Sequence, residues 1–132
     1  PWSIDNTDLG SNGFSLATGG DQIIAFLGSA LTPSLIYALN DEGAAVWQAD
    51  ANTSNESALP TGLIDGETAV AVTEVDNVKL NCTSNHTGTK DQLLEYISDN
   101  TNWIGDDGNP LAIDAGCSFT ITSGEPALVI MR

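Results

Sequence analysis

The sequence predicts a mainly β protein, a two-layer β-sandwich carrying one short helix over about residues 90–99. Three observations carry that class. The longest central apolar runs, residues 23–27 and 35–39, are short and are separated by Gly28, Ser29, Thr32 and Pro33. Apolar runs of this length between turn-forming residues read as strands rather than helices. Later segments alternate, as in Val78-Lys79-Leu80-Asn81-Cys82 and Ser118-Phe119-Thr120-Ile121-Thr122, the pattern of a strand buried on one face. Only one stretch keeps a helical period: Leu93, Leu94 and Ile97, preceded by Thr89 and Gln92 at capping-box spacing. Because the two central runs are almost continuously apolar, both faces of their hairpin are expected to be covered.

In chain order, residues 1–12 are polar and turn-rich, with Trp2 and Ile4 spaced as on one face of a strand. Residues 14–17 read as a short strand, and Thr18-Gly19-Gly20-Asp21 as the turn into the central hairpin. Asp41-Glu42-Gly43 is a turn, Val46-Trp47-Gln48 a brief strand, and residues 49–61 a long surface loop held down by Leu59, Pro60, Leu63 and Ile64. Residues 69–73 form a strand, Asp76-Asn77 a turn, and 83–88 a second polar loop. After the helix, Trp103 and Ile104 pack behind it. Residues 105–110 make a tight turn, and Leu111 and Ile113 begin another strand. Ser123-Gly124-Glu125-Pro126 breaks the 118–122 strand.

The chain then runs through Ala127, Leu128, Val129, Ile130 and Met131, five apolar residues in succession, to Arg132. An unpaired strand of that composition is an aggregation hazard, so it must pair with something. It docks in its own sheet or completes the sheet of a neighbour by strand addition.

The 132 residues suit a single domain, residues 1–132, large enough to bury a core. Eighteen acidic residues against three basic ones give a formal charge of −15. That sign repels phosphate backbones and anionic lipid, so nucleic acid is excluded as a partner class and divalent cations are the natural counterions. No apolar stretch approaches the roughly 20 residues of a membrane-spanning helix. With neither an initiator Met nor a basic-then-apolar leader, Pro1 reads as a processed end or an internal start.

Two cysteines, Cys82 and Cys117, read as one disulfide in an extracellular protein and as two free thiols in a cytosolic one. Four N-glycosylation sequons favour the former, with acceptors Asn52, Asn55, Asn81 and Asn85 clustered in two expected loops.

Several blocks together resemble a β-rich module of large secreted and cell-surface proteins, mostly bacterial and multi-domain. They are residues 14–28 (Phe-Ser-Leu-Ala-Thr-Gly-Gly-Asp-Gln-Ile-Ile-Ala-Phe-Leu-Gly), 36–40, 57–63, 69–72, 88–94, Asn102-Trp103 and 118–121. The first block is the most distinctive. The resemblance implies an extracellular module used in multi-domain or repeated architectures, and it carries no catalytic motif. Modules of this kind begin with strands upstream of Pro1, and the 127–131 run looks like the first strand of a following module. The chain thus resembles a repeat unit cut out of register, completed by strands from a neighbouring subunit. Heterologous contacts that do not close on themselves generate filaments.

Catalytic chemistry finds no arrangement here. The single histidine, His86, reads as an exposed loop residue, and no Ser or Cys stands in a nucleophile–base pattern. Zinc needs more Cys and His than the chain has. Asp106, Asp107 and Asn109 supply hard oxygens for calcium in one turn, although turn chemistry alone explains them and they lack EF-hand spacing. Trp2, Trp47 and Trp103 could stack on sugar, but scattered aromatics belong more often to cores. The expected function is therefore non-enzymatic: a structural, glycosylated extracellular protein without cofactor, polymerising head to tail by strand exchange. The alternative is a carbohydrate- or calcium-binding module of a larger secreted protein or adhesin.

Overall fold

The structure is a computed structural model describing residues 17, 19–53, 55–112 and 116–123. The expectations for residues 1–12 and 14–16, for Ile113 and for the 127–131 run lie outside the described residues. The fold is mainly β with one short helix, and the strands fall into three open sheets.

The first sheet is built on the expected hairpin. Strand β1 (Gln22–Ser29) runs antiparallel to β2 (Thr32–Asn40), pairing Ile23 with Leu39, Ile24 with Ala38 and Ser29 with Thr32. Ala30 and Leu31 make the tip, which Gly28 enters at φ 94°. Between Ala25↔Tyr37 and Phe26↔Leu35 the register shifts, because Ile36 is an extra residue on β2. This bulge bends β2 while β1 stays regular. Strand β3 (Ala69–Ala71) joins β2 in parallel, with Ala38 against Ala69 and Asn40 against Ala71. The small side chains bring these elements close, and Ala38, Leu63 and Ala69 form a buried cluster against which Ile24, Leu35, Trp47 and Leu59 pack.

Strand β4 (Asn77–Leu80) pairs antiparallel with β6 (Trp103–Asp106). Strand β5 (Asn85–Gly88) pairs in parallel with β7 (Ser118–Ile121). A two-stranded pair of four residues is weak by itself. Here the Cys82–Cys117 disulfide ties the chain just ahead of both strands. A bridge closing a loop of that length stabilises the fold by roughly 3–4 kcal/mol. Helix α1 (Lys90–Ser98) lies in the crossover between β5 and β7 and packs on both.

The helix begins where the capping box predicts. The Gln92 N–H donates to Thr89 Oγ1, and the Thr89 N–H donates to Gln92 Oε1 at 3.0 Å. Leu93 is buried, which stabilises the fold by about 1.5–3 kcal/mol. Ser98 is buried too and ties α1 to the first sheet. Its hydroxyl donates to the Glu67 carbonyl at 2.9 Å and is left to accept from Tyr37 Oη at 3.0 Å.

Some local expectations change. Residues 46–48 make no strand, only an isolated bridge from Gln48 to Ala58. Leu111 is not in a strand. Residues 85–88, expected as loop, are β5: their pairing comes from β7 far along the chain, which local pattern does not encode.

Candidate assembly surface

The two ends of the β1–β2 hairpin differ sharply. At its base, Ala38 and Asn40 are fully buried, and β3 beside them is at most 2 % exposed. A polar network closes this end. Asn40 Oδ1 accepts from the Glu42 N–H at 2.9 Å, and Asn40 Nδ2 donates to the Val46 carbonyl. The Ser57 hydroxyl donates to the buried Glu42 carboxylate at 2.5 Å, while Ser57 and Gln48 exchange two further bonds. Asp21 and Asp41 also bond reciprocally: the Asp21 N–H donates to Asp41 Oδ1 at 2.6 Å, and the Asp41 N–H to the Asp21 carbonyl at 3.0 Å. Gly20 fits between them at φ 91°, where a Cβ would come within 2.5 Å of the Asp41 carbonyl oxygen. Nothing in the sequence marks Glu42 as buried, because an acid in an Asp-Glu-Gly turn reads as solvated.

Toward the tip, and on one face down to Ile23 beside Leu39, the hairpin is only partly covered among the described residues, with Ile24, Ala25 and Phe26 half-buried. Ile23, Leu27, Leu31 and Ile36 are all exposed, Leu27 at 60 %. The sequence led us to expect cover on both faces. Partial cover results because β3 pairs only with residues 38–40 of β2. The face bearing Ile24 and Leu35 meets the buried cluster. Alternation puts Ile23, Ala25 and Leu27 on the opposite face, where Tyr37 alone is anchored, to Ser98. Burial pushes the Tyr37 phenol up from its ordinary value; the Ser98 hydrogen bond opposes this and the Asp65 charge adds to it. Strand β1 is also the outer strand of its sheet, with no described strand on its far side.

The other residues singled out by sequence are dispersed. Asn52, Asn55 and Asn81 are exposed in loops. Asn85 is exposed on β5, where its side chain donates to Thr87 Oγ1 and accepts from the Ser118 and Thr120 hydroxyls. Cys82 is the middle residue of the Asn81 sequon and is buried in the disulfide. His86 is not an exposed loop residue. It sits on β5, half-buried, stacked on Tyr96 of α1 at 4.0 Å and on Phe119 of β7 at 5.7 Å between ring centroids. These rings bind the β5–β7 pair to its helix.

Asp106 Oδ1 accepts the Gly108 N–H, the Asn109 N–H and the Asn109 side-chain amide, which hold its carboxyl below the usual range. Asp107 accepts the Asp76 N–H at 3.3 Å, across to the turn before β4. Asp106 therefore serves its own loop's backbone and Asp107 the turn before β4, and no group of three or more His, Cys, Asp and Glu able to hold a metal occurs among the described residues.

Trp47 packs on the buried cluster and donates to Asp65 Oδ1 at 3.1 Å, while Trp103 donates to the Ile97 carbonyl at 2.9 Å. Both indoles have structural partners; Trp2 lies outside the described residues. A cleft of about 320 Å³ lies between the segment after β3 and the β4–β6 pair, lined by Val72, Val75, Val78, Trp103 and Ile104 among others. A second, of about 240 Å³, has Asp65 and Asp99 in its wall. Asp65 is the Trp47 acceptor, and Asp99 is held below the carboxylate range by the Thr101 hydroxyl and then the Thr101 N–H. No described helix is long and apolar enough to cross a membrane.

No family model matches the chain, and neither the curated proteins nor the solved structures yield a match.

Proposed function

We propose that this protein is a structural, glycosylated extracellular subunit that joins copies of itself head to tail by strand exchange, building a filament or surface assembly. The observation that carries this reading is a pair: an apolar strand, β1, that is partly exposed and outermost among the described strands of its sheet, and a five-residue apolar run, 127–131, in the same chain. An apolar edge strand is a hazard in water alone, and an added strand from another copy is one way to cover it. The Cys82–Cys117 disulfide fits an oxidising compartment, and the exposed Asn52, Asn55 and Asn81 fit sugar carriers.

Electron microscopy of the purified protein tests the assembly. Filaments or extended arrays are expected, and deletion of residues 127–132 abolishes them while leaving a soluble monomer. A strictly monomeric particle with its 127–131 run paired inside its own sheet would refute the reading. Glycosylation is read by mass spectrometry before and after enzymatic release of N-glycans; unmodified asparagine at all four sequons removes that part of the proposal. Saturable binding of glycan or millimolar calcium by a monodisperse protein would favour the competing binding-module reading instead.

A further inference from the structure

The geometry points to the outer edge of β1 as the acceptor for residues 127–131 of a second copy. The donor runs antiparallel, in the register that sets Met131 opposite Ile23 and Ala127 opposite Leu27. This rests on the strand-exchange reading above and adds the acceptor, the direction and the register.

Among the described strands, the order β1-β2-β3 leaves two edges. Strand β3 is three residues long and buried, whereas β1 is eight residues long and mostly exposed. The register shift is absorbed by Ile36 of β2, so the outer edge of β1 stays regular. Its apolar run, Ile23 to Leu27, has five residues, as does the 127–131 run, and in the assigned register the two coincide end to end. Met131 and Ala127 then stand beside the exposed Ile23 and Leu27, with Val129 beside Ala25 between them.

Charge selects the direction. Arg132 is one of only three basic residues in a chain of charge −15. Run antiparallel, it falls opposite Gln22, beside Asp21 and the Asp41 bonded to it. Run parallel, it falls at Gly28, in the 22–40 stretch, which contains no acidic residue. That the donor belongs to another copy follows from the strand-exchange reading, and pairing within one chain is the outcome that would overturn it.

The test mixes two preparations of the full chain, one carrying Ile23→Cys and the other Met131→Cys, under assembly conditions with mild oxidation. A disulfide-linked dimer of the two is expected, and it is lost when Leu27→Cys replaces Ile23→Cys. An equal yield from Leu27→Cys overturns the register. A bridge forming inside one chain that carries both Ile23→Cys and Met131→Cys, with none in the mixture, overturns the second copy as occupant. A second readout needs no new cysteine. Gln22→Arg raises the protein concentration needed for assembly severalfold, and adding Arg132→Glu restores it; failure of that rescue overturns the antiparallel direction. If deleting 127–132 abolishes assembly but neither the cross-link nor the charge swap responds, the acceptor assignment falls and strand exchange stands. Assembly that survives the deletion removes strand exchange itself.

Discussion

The base and the outer part of the β1–β2 hairpin are written in nearly the same alphabet, yet one is fully buried and the other stands in water. Ala38 and Asn40 are 0 % exposed, whereas Leu31 at the tip is 93 % exposed. At the base, β3 supplies a pairing edge and the 42–57 network gives the buried Asn40, Glu42 and Ser57 side chains hydrogen-bond partners. Further out β3 does not follow β2, and Leu27 is left 60 % exposed. The comparison teaches that an apolar strand is a request for a partner, which another segment of the fold, or another molecule, has to answer.

Glycine substitution breaks the comparison most strongly. Gly20→Ala forces a Cβ onto the Asp41 carbonyl at positive φ and should cost about 2–5 kcal/mol in denaturant unfolding. Gly28→Ala near the tip shares the positive φ but meets only the Thr32 carbonyl at 3.1 Å, so about 1–2 kcal/mol is expected. Equal losses would mean the tip is as enclosed as the base. Next in size, Leu63→Ala in the buried cluster should cost about 2–4 kcal/mol. Leu27→Ala should change the stability of the monomer by less than about 0.5 kcal/mol. If Leu27→Ala instead weakens assembly, the two ends separate cleanly into folding and association.

The smallest effect is a titration. The folded Tyr37 phenol has a raised pKa, so its contribution is present below the ordinary value of 10.0 and is lost as pH rises through the raised one. Melting temperature should therefore fall more steeply above about pH 10 in the parent than in Tyr37→Phe. Parallel curves would show that the phenol's surroundings contribute nothing to stability. Asp106 gives the opposite sign on a surface turn. Its depressed pKa means that its contribution is lost as pH falls below the carboxylate range, and Asp106→Asn removes that dependence.

What the sequence made legible follows from how local each signal is. The hairpin and α1 were readable because turn residues, alternation and the Thr89–Gln92 box all lie within a few positions of the elements they define. Strand β5 was not, because Asn-His-Thr-Gly has no apolar pattern and its partner lies 33 residues away. The same distance effect hid the role of His86, whose ring partners lie on α1 and β7. The 23–27 half of the candidate surface was visible as an apolar run. Its partial exposure was not, since it depends on β3 being three residues long and pairing only with the base of β2.

The Cys82–Cys117 bridge also sets how a linked chain of these subunits would bear tension. Pull arriving along the residues after β7 meets Cys117 first and crosses directly to Cys82, a covalent shortcut past the 35-residue separation. The enclosed helix α1 hangs off the load path like slack beside a taut rope. Reduction of that one bond would let the slack pay out, lengthening each link without breaking it.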